Sequence, residues 1–87
     1  MPSAPPVDPE LRLLGMRVHE VEDTLDRYLD SAALAGLPAV RIIHGKGTGA
    51  LRAHVHALLR EHPTVDRFAL AERNEGGDGA TIAYLKD

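Results

Sequence analysis

The sequence predicts an α+β domain of two layers, in which four strands and two helices follow one another as βαβαββ. Two observations predict this fold. Short apolar runs of strand type alternate with two longer segments of helical period, and both helical segments end at glycine or proline. Because crossovers between parallel strands are right-handed, both helices should lie on one face of a four-stranded mixed sheet, with expected order 1-2-4-3.

The N-terminal segment predicts a linker that leads into a single domain. Four of the six prolines fall in residues 1–9, a composition that excludes a helix or an inner strand. We therefore expect a proline-rich linker at 1–9, a domain at 10–87, and the remainder of a parent protein before residue 1. The first strand is expected at 10–14, where an apolar run ends at Gly15.

The first helix is expected at 17–35 and is followed by the second strand at 39–43. The helix carries an apolar face with 3.6-residue spacing, formed by Val18, Val21, Leu25, Leu29 and Ala32. Gly36 suits the left-handed position after a helix, and Pro38 prevents its continuation.

The second half of the chain predicts one more helix and two more strands. The helix is expected from about Thr48 to Glu61, with a buried stripe of Leu51, Val55, Leu58 and Leu59. Pro63 closes it. Strands are expected at 65–70 and 80–85, joined by an irregular polar turn rich in glycine.

Three glycine segments should meet at one edge of the sheet. Gly15 follows the first strand, His44–Gly49 follows the second, and Gly76–Gly79 precedes a fourth strand that returns antiparallel. The carboxyl ends of parallel strands share one edge, and ligands of open α/β sheets bind there.

The segment His44–Gly49, which we call the glycine loop, predicts an anion site, and phosphate is the anion that we expect there. A glycine-rich turn that opens a helix frees backbone N–H groups, and the helix dipole adds positive character. Lys46 adds a full charge. The alternative is a tight turn in which Thr48 only caps the helix. The spacing matches neither a Walker loop nor a convincing dinucleotide motif, so we expect no bound nucleotide.

Composition supports a nucleic-acid partner only through the distribution of charge. The 87 residues carry a net charge of −3, no cysteine, and no apolar run of membrane-spanning length. No signal region is present, so a cytoplasmic location is the default expectation. Residues 31–60 contain no acid, whereas they contain four Lys or Arg residues: Arg41, Lys46, Arg52 and Arg60.

Several side chains are candidates for the chemistry of this edge. Arg52, His56 and Arg60 recur every four residues along the second helix and could follow a phosphate backbone or simply be a solvated face. His44 could act as a general acid or base, or only bond to backbone.

Two further features, a pair of carboxylates and the sheet face without helices, each allow more than one functional interpretation. Glu75 and Asp78 flank the glycines of the last turn and could hold Mg²⁺ or Mn²⁺, or could merely form the turn. The sheet face without helices would use alternate residues among Ile42, Ala83 and Leu85. If that face is apolar, it needs a partner, and the domain could be a dimerisation module.

Together these motifs resemble the small MutS-related (Smr) domain family. The His44–Gly49 segment is similar to the family's His-Gly-x-Gly-x-Gly, and residues 76–81 are similar to its Gly-Gly-x-Gly-x-Thr. The resemblance covers about residues 10–86. It is greatest to versions at the C-terminus of a bacterial MutS paralogue that lacks a mismatch-recognition domain.

The resemblance implies a domain that binds and nicks DNA, including branched intermediates, within a protein that restrains homologous recombination or acts in DNA repair. Some relatives act on RNA or ribosomes. The catalytic candidates are then His44 and Lys46. The candidates for binding nucleic acid or phosphate are Gly45, Lys46, Gly47, Thr48, Gly49, Arg52, Arg60, Gly77 and Gly79. The alternative is a non-catalytic module that docks DNA, RNA or a ribosome for a larger ATPase.

The first family motif, Leu-Asp-Leu-His/Arg-Gly, is altered in this chain. Arg12 stands where the family has an acid, and Leu14 where it has a basic residue or histidine. A guanidinium cannot bind a metal or take a proton as a carboxylate does. Three interpretations follow: cleavage is lost and binding kept, cleavage uses His44 and Lys46 with another acid (Glu10, Glu75 or Asp78), or the family acid is not the catalyst.

Overall fold

The structure, a computed structural model, has the element order that the sequence predicts. It describes residues 7–75 and 77–86, apart from the side chain of Glu75. The strands are β1 (Glu10–Arg12), β2 (Ala39–Ile43), β3 (Val65–Leu70) and β4 (Ala80–Leu85), and the helices are α1 (Val18–Leu34) and α2 (Ala50–Glu61). Between β3 and β4 lie two single-turn 3₁₀ helices, Arg73–Glu75 and Gly77–Gly79. Neither helix of this described part could cross a membrane.

The sheet confirms the predicted topology. Its order is β1-β2-β4-β3, with β1 parallel to β2 and β4 antiparallel to both of its neighbours. The carboxyl ends of β1, β2 and β3 therefore lie at the edge where β4 begins. This edge is the one that carries the glycine loop.

One apolar core fills the space between the helices and the sheet. Most of the predicted α1 face is buried there, and so are Val55 and Leu59 of α2. Leu51 and Leu58 are only partly buried against the core. The prediction for Val18 was wrong, because this first helical residue is 56% exposed and lines a cleft beside the glycine loop.

The sheet face without helices carries both charged and partly buried apolar side chains, and the residues predicted for it lie on the other side. Ile42, Ala83 and Leu85 belong to the buried core under the helices. On the open face Glu10 pairs with Arg41 and, at 3.7 Å, with Arg12. The placement of Ile42, Ala83 and Leu85 on the open face was therefore wrong, because the alternate positions, with Arg41 opposite Ile82, form that face.

The end of the predicted linker packs on the domain, while the first six residues lie outside the described part. The Pro9 carbonyl accepts a hydrogen bond of 2.7 Å from the Arg41 N–H. The Tyr28 hydroxyl donates to the carbonyl of Asp8. Burial, reinforced by the carboxylates of Asp8 and Glu10, raises the pKa of Tyr28 to about 12.

Candidate functional site

The turns at the carboxyl edge of the sheet converge as predicted. The Gly79 carbonyl accepts hydrogen bonds from the N–H groups of His44 (3.1 Å) and Gly45 (2.9 Å). Leu14, which precedes Gly15, lies directly over Gly45. The glycine loop is therefore held between the β1–α1 turn and the start of β4, although Gly76 itself lies outside the described residues.

Some backbone N–H groups of the glycine loop hold the loop in shape, whereas others are available to a ligand. Gly45 donates to Gly79, and Gly49 donates to the Lys46 carbonyl at 3.2 Å. Within the described chain, the N–H groups of Lys46, Gly47 and Thr48 make no bond to another backbone group. Gly45 and Gly49 therefore fix the loop. Three successive amides are left, an arrangement that suits an anion.

Helix α2 begins two residues later than the sequence predicts. Gly49 occupies the N-cap position with a left-handed φ of 86°, which a residue with a Cβ adopts only at a cost. Thr48 contributes a weak cap, because its Oγ1 accepts from the Ala50 N–H at 3.3 Å. The left-handed step at Gly49 delays the helix.

Lys46 extends from the loop into solvent. Its Nζ lies 3.5 Å from Oδ1 of Asp78, and the two side chains are 74% and 53% exposed. Exposed pairs of this kind contribute only about 0–1 kcal/mol. Lys46 can therefore exchange Asp78 for a phosphate at little cost.

The two arginines of the predicted stripe lie on α2 but differ in their surroundings. Arg52 Nη2 would be 2.9 Å from a Cβ built on Gly49, so its guanidinium lies against the glycine loop. The Arg60 guanidinium lies 5.8 Å from the centre of the Phe68 ring, at the other end of the helix. Only Arg52 belongs to the immediate loop environment, and Arg60 is placed for a more distant contact.

His56 does not complete the stripe, because it turns inward to a buried threonine. Its Nε2 lies 2.7 Å from Oγ1 of Thr81, and its ring packs on Phe68 with centroids 4.9 Å apart. The same Oγ1 lies 2.8 Å from Nε2 of His44. Thr81 is fully buried and His44 is 3% exposed. A hydrogen-bonded row of three side chains, His56, Thr81 and His44, which we call the histidine–threonine chain, thus connects α2, β4 and the glycine loop.

When both histidines are neutral, the hydrogen bonds that join His44, Thr81 and His56 have one consistent assignment of donors and acceptors. Nδ1 of His44 lies 2.9 Å from the Gly45 carbonyl, which can only accept, so Nδ1 carries the proton. Nε2 of His44 then accepts from the Thr81 hydroxyl, and Nε2–H of His56 donates to Thr81. Both ring nitrogens of His44 are therefore engaged within the protein. In this geometry His44 positions the loop.

Sequence reasoning missed Thr81 as a member of the site. The available signal was a threonine on the helix-facing side of an otherwise apolar strand, where a buried hydroxyl needs a partner. It also missed the inward orientation of His56. Four-residue spacing shows which side chains share a helix face but does not show how far that face turns into the sheet.

We expect the stability of the domain to decrease as pH falls below the ordinary histidine range. Burial, reinforced by His44, Arg52 and Arg60, lowers the pKa of His56 in the folded state. The unfolded chain then takes up a proton before the folded chain does, so stability is lost below the unfolded pKa of about 6.5. Urea unfolding at pH 7.5 and 5.5 measures this loss. His56→Gln should reduce it, and an unchanged loss in that variant would exclude His56 as a source.

The carboxylates predicted to bind a metal do not form a metal site with the described residues. Asp78 faces Lys46, and the Glu75 side chain lies outside the described part. In that part, the group of three that could hold an ion is Asp26, Asp30 and His62. This group lies at the opposite end of α2 from the glycine loop. The predicted binding of Mg²⁺ or Mn²⁺ by Glu75 and Asp78 therefore stays a prediction.

The fold and the loop together define a small α+β domain that presents, at one sheet edge, cationic side chains and amides without a backbone partner among the described residues. A family model described as the Smr domain matches residues 11–86. The chain belongs to the Smr domain family.

Its relatives include large proteins that carry a similar segment. The chain is 56% identical over 82 residues to "Endonuclease MutS2" of Thermomicrobium roseum, and 54% identical over 77 residues to the protein of that name from Carboxydothermus hydrogenoformans. These matches cover 94% and 88% of this chain but 10% of each relative. The chain therefore spans about a tenth of these proteins.

Solved structures show the same fold. The Smr domain of Thermus thermophilus MutS2 aligns with a TM-score of 0.86 and 41% identity, covering 90% of this chain and 98% of that one. YdaL, a stand-alone small MutS-related protein from Escherichia coli, aligns with a TM-score of 0.85 and 31% identity, covering 90% and 64%.

Proposed function

We propose that this domain binds the phosphate backbone of nucleic acid through the glycine loop and nicks DNA as part of a larger protein. The observation that carries the proposal is the row of three backbone amides that have no backbone partner in the described part of the chain and lie beside the exposed Lys46. The name of the relatives, endonuclease, supports the same class of substrate.

The distribution of charge supports binding at this edge in particular. The chain as a whole is acidic, with a net charge of −3, whereas residues 31–60 contain no acid. Arg52 lies against the loop, and Arg60 extends the basic surface of α2. A backbone placed across the loop would therefore meet Lys46 and Arg52, with Asp78 paired to Lys46 beside them, which favours binding at this edge.

In the proposed reaction a water oxygen attacks phosphorus, and the bond from phosphorus to a deoxyribose oxygen breaks. Negative charge accumulates on the non-bridging oxygens, where Lys46 and the loop amides would stabilise it. Of the acids considered from the sequence, Glu10 pairs with arginines on the open sheet face. We assign the role of accepting the proton of the attacking water to Asp78, whose carboxylate lies beside Lys46 at the loop, and the leaving deoxyribose oxygen takes a proton from solvent. His44 positions the loop through its contacts with the Gly45 carbonyl and Thr81.

A second candidate function is a docking module that binds DNA, RNA or a ribosome without cleaving it. The observation that favours it is Arg12, which replaces the family acid and pairs with Glu10 on the sheet face away from the helices. The restraint of recombination and a role in DNA repair would belong to the parent protein, so they remain proposals from the resemblance.

A nicking assay on supercoiled plasmid separates the two candidates. We expect relaxed circles with the unmodified chain, and at least a hundredfold slower nicking with Asp78→Asn, because general-base catalysis contributes about 10²–10⁴-fold. DNA binding should be kept or strengthened, since Asp78 no longer competes for Lys46. Asp66→Asn, on β3, is the matched control.

The same assay, run with Mg²⁺, with Mn²⁺ and with EDTA, shows whether an added ion contributes. Binding without any nicking in all three conditions would favour the docking module. Normal nicking by Asp78→Asn would exclude Asp78 as the proton acceptor.

A further inference from the structure

Exposed apolar side chains lie directly beside the glycine loop. We call Leu14 and the partly buried Met16, from the turn between β1 and α1, and Val18, the first residue of α1, the apolar rim. Leu14 is 57% exposed and Val18 is 56% exposed, although large aliphatic residues usually lie inside a domain of this kind. Leu34, exposed at the far end of α1, is isolated from the loop and offers a comparison.

Met16 and Val18 of the apolar rim share a cleft with the loop, and Leu14 lies over the loop at Gly45. A Cβ built on Gly45 would lie 2.5 Å from Cδ2 of Leu14, so this leucine covers the loop backbone. A cleft of about 270 Å³ is lined by Met16 and Val18 together with the glycine loop and Arg52. A ligand whose phosphate binds at the loop therefore also places the atoms next to that phosphate against aliphatic side chains.

The chemistry of the two walls identifies what fits between them. One wall offers amides and cations, which suit a phosphate, and the other offers aliphatic surface, which suits an apolar face. In a duplex the faces of the bases are stacked on one another and only their edges reach the grooves. An unpaired nucleotide exposes the face of its base next to its own phosphate.

We propose that the apolar rim contacts the base of an unpaired nucleotide whose phosphate lies in the glycine loop. The domain would thereby select single-stranded segments, such as a flap, gap or loop, over continuous duplex. This inference rests on the nucleic-acid binding proposed above and adds the substrate class for the same site. Aliphatic contact with a base face depends little on sequence, so selection would be for strand structure.

The test uses fluorescence anisotropy with the 87-residue chain and three ligands of equal length. These are a thymidine oligonucleotide, an abasic strand with the same phosphates and sugars, and a duplex. We expect the thymidine strand to bind about five- to tenfold more tightly than the abasic strand, since two half-exposed aliphatic side chains gain contact. Leu14→Ser and Val18→Ser should each reduce that ratio, and Leu34→Ser should keep it.

Each outcome bears on one of the two proposals. Equal affinity for thymidine and abasic strands in the unmodified chain would overturn the base contact while leaving phosphate binding intact. A ratio unchanged in both Leu14→Ser and Val18→Ser would place the base contact elsewhere and overturn the role of the rim. Failure to bind any of the three ligands would overturn the proposed function itself and this inference with it. The comparison of ligands needs no variant, so it holds even if Leu14→Ser disturbs the loop.

Discussion

Thr81→Val is expected to lower the free energy of unfolding by about 2–4 kcal/mol, one of the two largest effects we expect from a single substitution. Valine nearly matches threonine in shape but removes the hydroxyl that lies 2.8 Å from His44 and 2.7 Å from His56. The buried Nε2 of His44 and the partly buried Nε2 of His56 then lose their partner, and an unsatisfied buried polar group costs about 1–3 kcal/mol. For a domain of this size the melting temperature should fall by about 10–20 °C.

Two control variants make the Thr81 result specific. Thr81→Ser keeps the hydroxyl and should lose less stability than Thr81→Val. Thr24→Val, on α1, makes the same chemical change at a partly exposed helical position and should change stability by about 0.5 kcal/mol or less. Urea unfolding of the set measures the differences. Equal stability of Thr81→Val and the unmodified chain would show that the histidine–threonine chain does not support the loop.

Gly45→Ala is expected to damage the site more than any other substitution of a loop glycine by alanine. Gly45 has a φ of 82°, where an L side chain costs about 1–2 kcal/mol. The new methyl group would also lie 2.5 Å from Cδ2 of Leu14, which must move away from the loop. We expect a loss of stability of about 1–2 kcal/mol and about tenfold weaker binding of DNA, measured by unfolding and by anisotropy.

Gly15→Ala is the matched control for the Gly45 result. Its φ of 81° imposes the same backbone strain, but a Cβ there meets nothing within 4 Å. Stability should therefore fall by a similar amount in both variants, while binding should fall only in Gly45→Ala. An equal loss of binding in the two variants would attribute the effect to general strain at the sheet edge and not to the contact between Gly45 and Leu14.

The sequence predicted the architecture because the signals that determine it are local. Apolar runs, helical periods and the proline and glycine stops fix the element order, and the handedness of crossovers then fixes the layers. The convergence of the glycine turns follows from that topology alone. The hydrogen bonds of Gly79 to His44 and Gly45 confirm it.

The sequence could not predict which face of each element turns inward at the site. Ile42 and Ala83 were placed on the open face, because alternation alone leaves the choice of side undetermined when both neighbours are apolar. His56 was placed on the exposed stripe, yet its ring reaches Thr81 across the α2–sheet contact. These positions depend on how closely helix and sheet pack, which is a tertiary property.

The sequence also could not predict which N–H groups of the glycine loop donate to backbone carbonyls. The motif predicted that all of its amides would hold an anion. In the structure, Gly45 and Gly49 donate to backbone carbonyls. Among the described residues, the amides of Lys46, Gly47 and Thr48 make no such bond. Hydrogen-bond partners outside the motif decide this, since Gly79 is 34 positions further along the chain.

The salt dependence of DNA affinity for Lys46→Ala tests the central claim most directly. If Lys46 neutralises one phosphate in the glycine loop, the variant should bind all sequences more weakly, and the slope of log K against log salt should become shallower by about 0.7–0.9. Lys86→Ala, an exposed lysine beyond β4, should keep the slope of the unmodified chain. A slope for Lys46→Ala equal to that of the unmodified chain would contradict a phosphate site at the glycine loop.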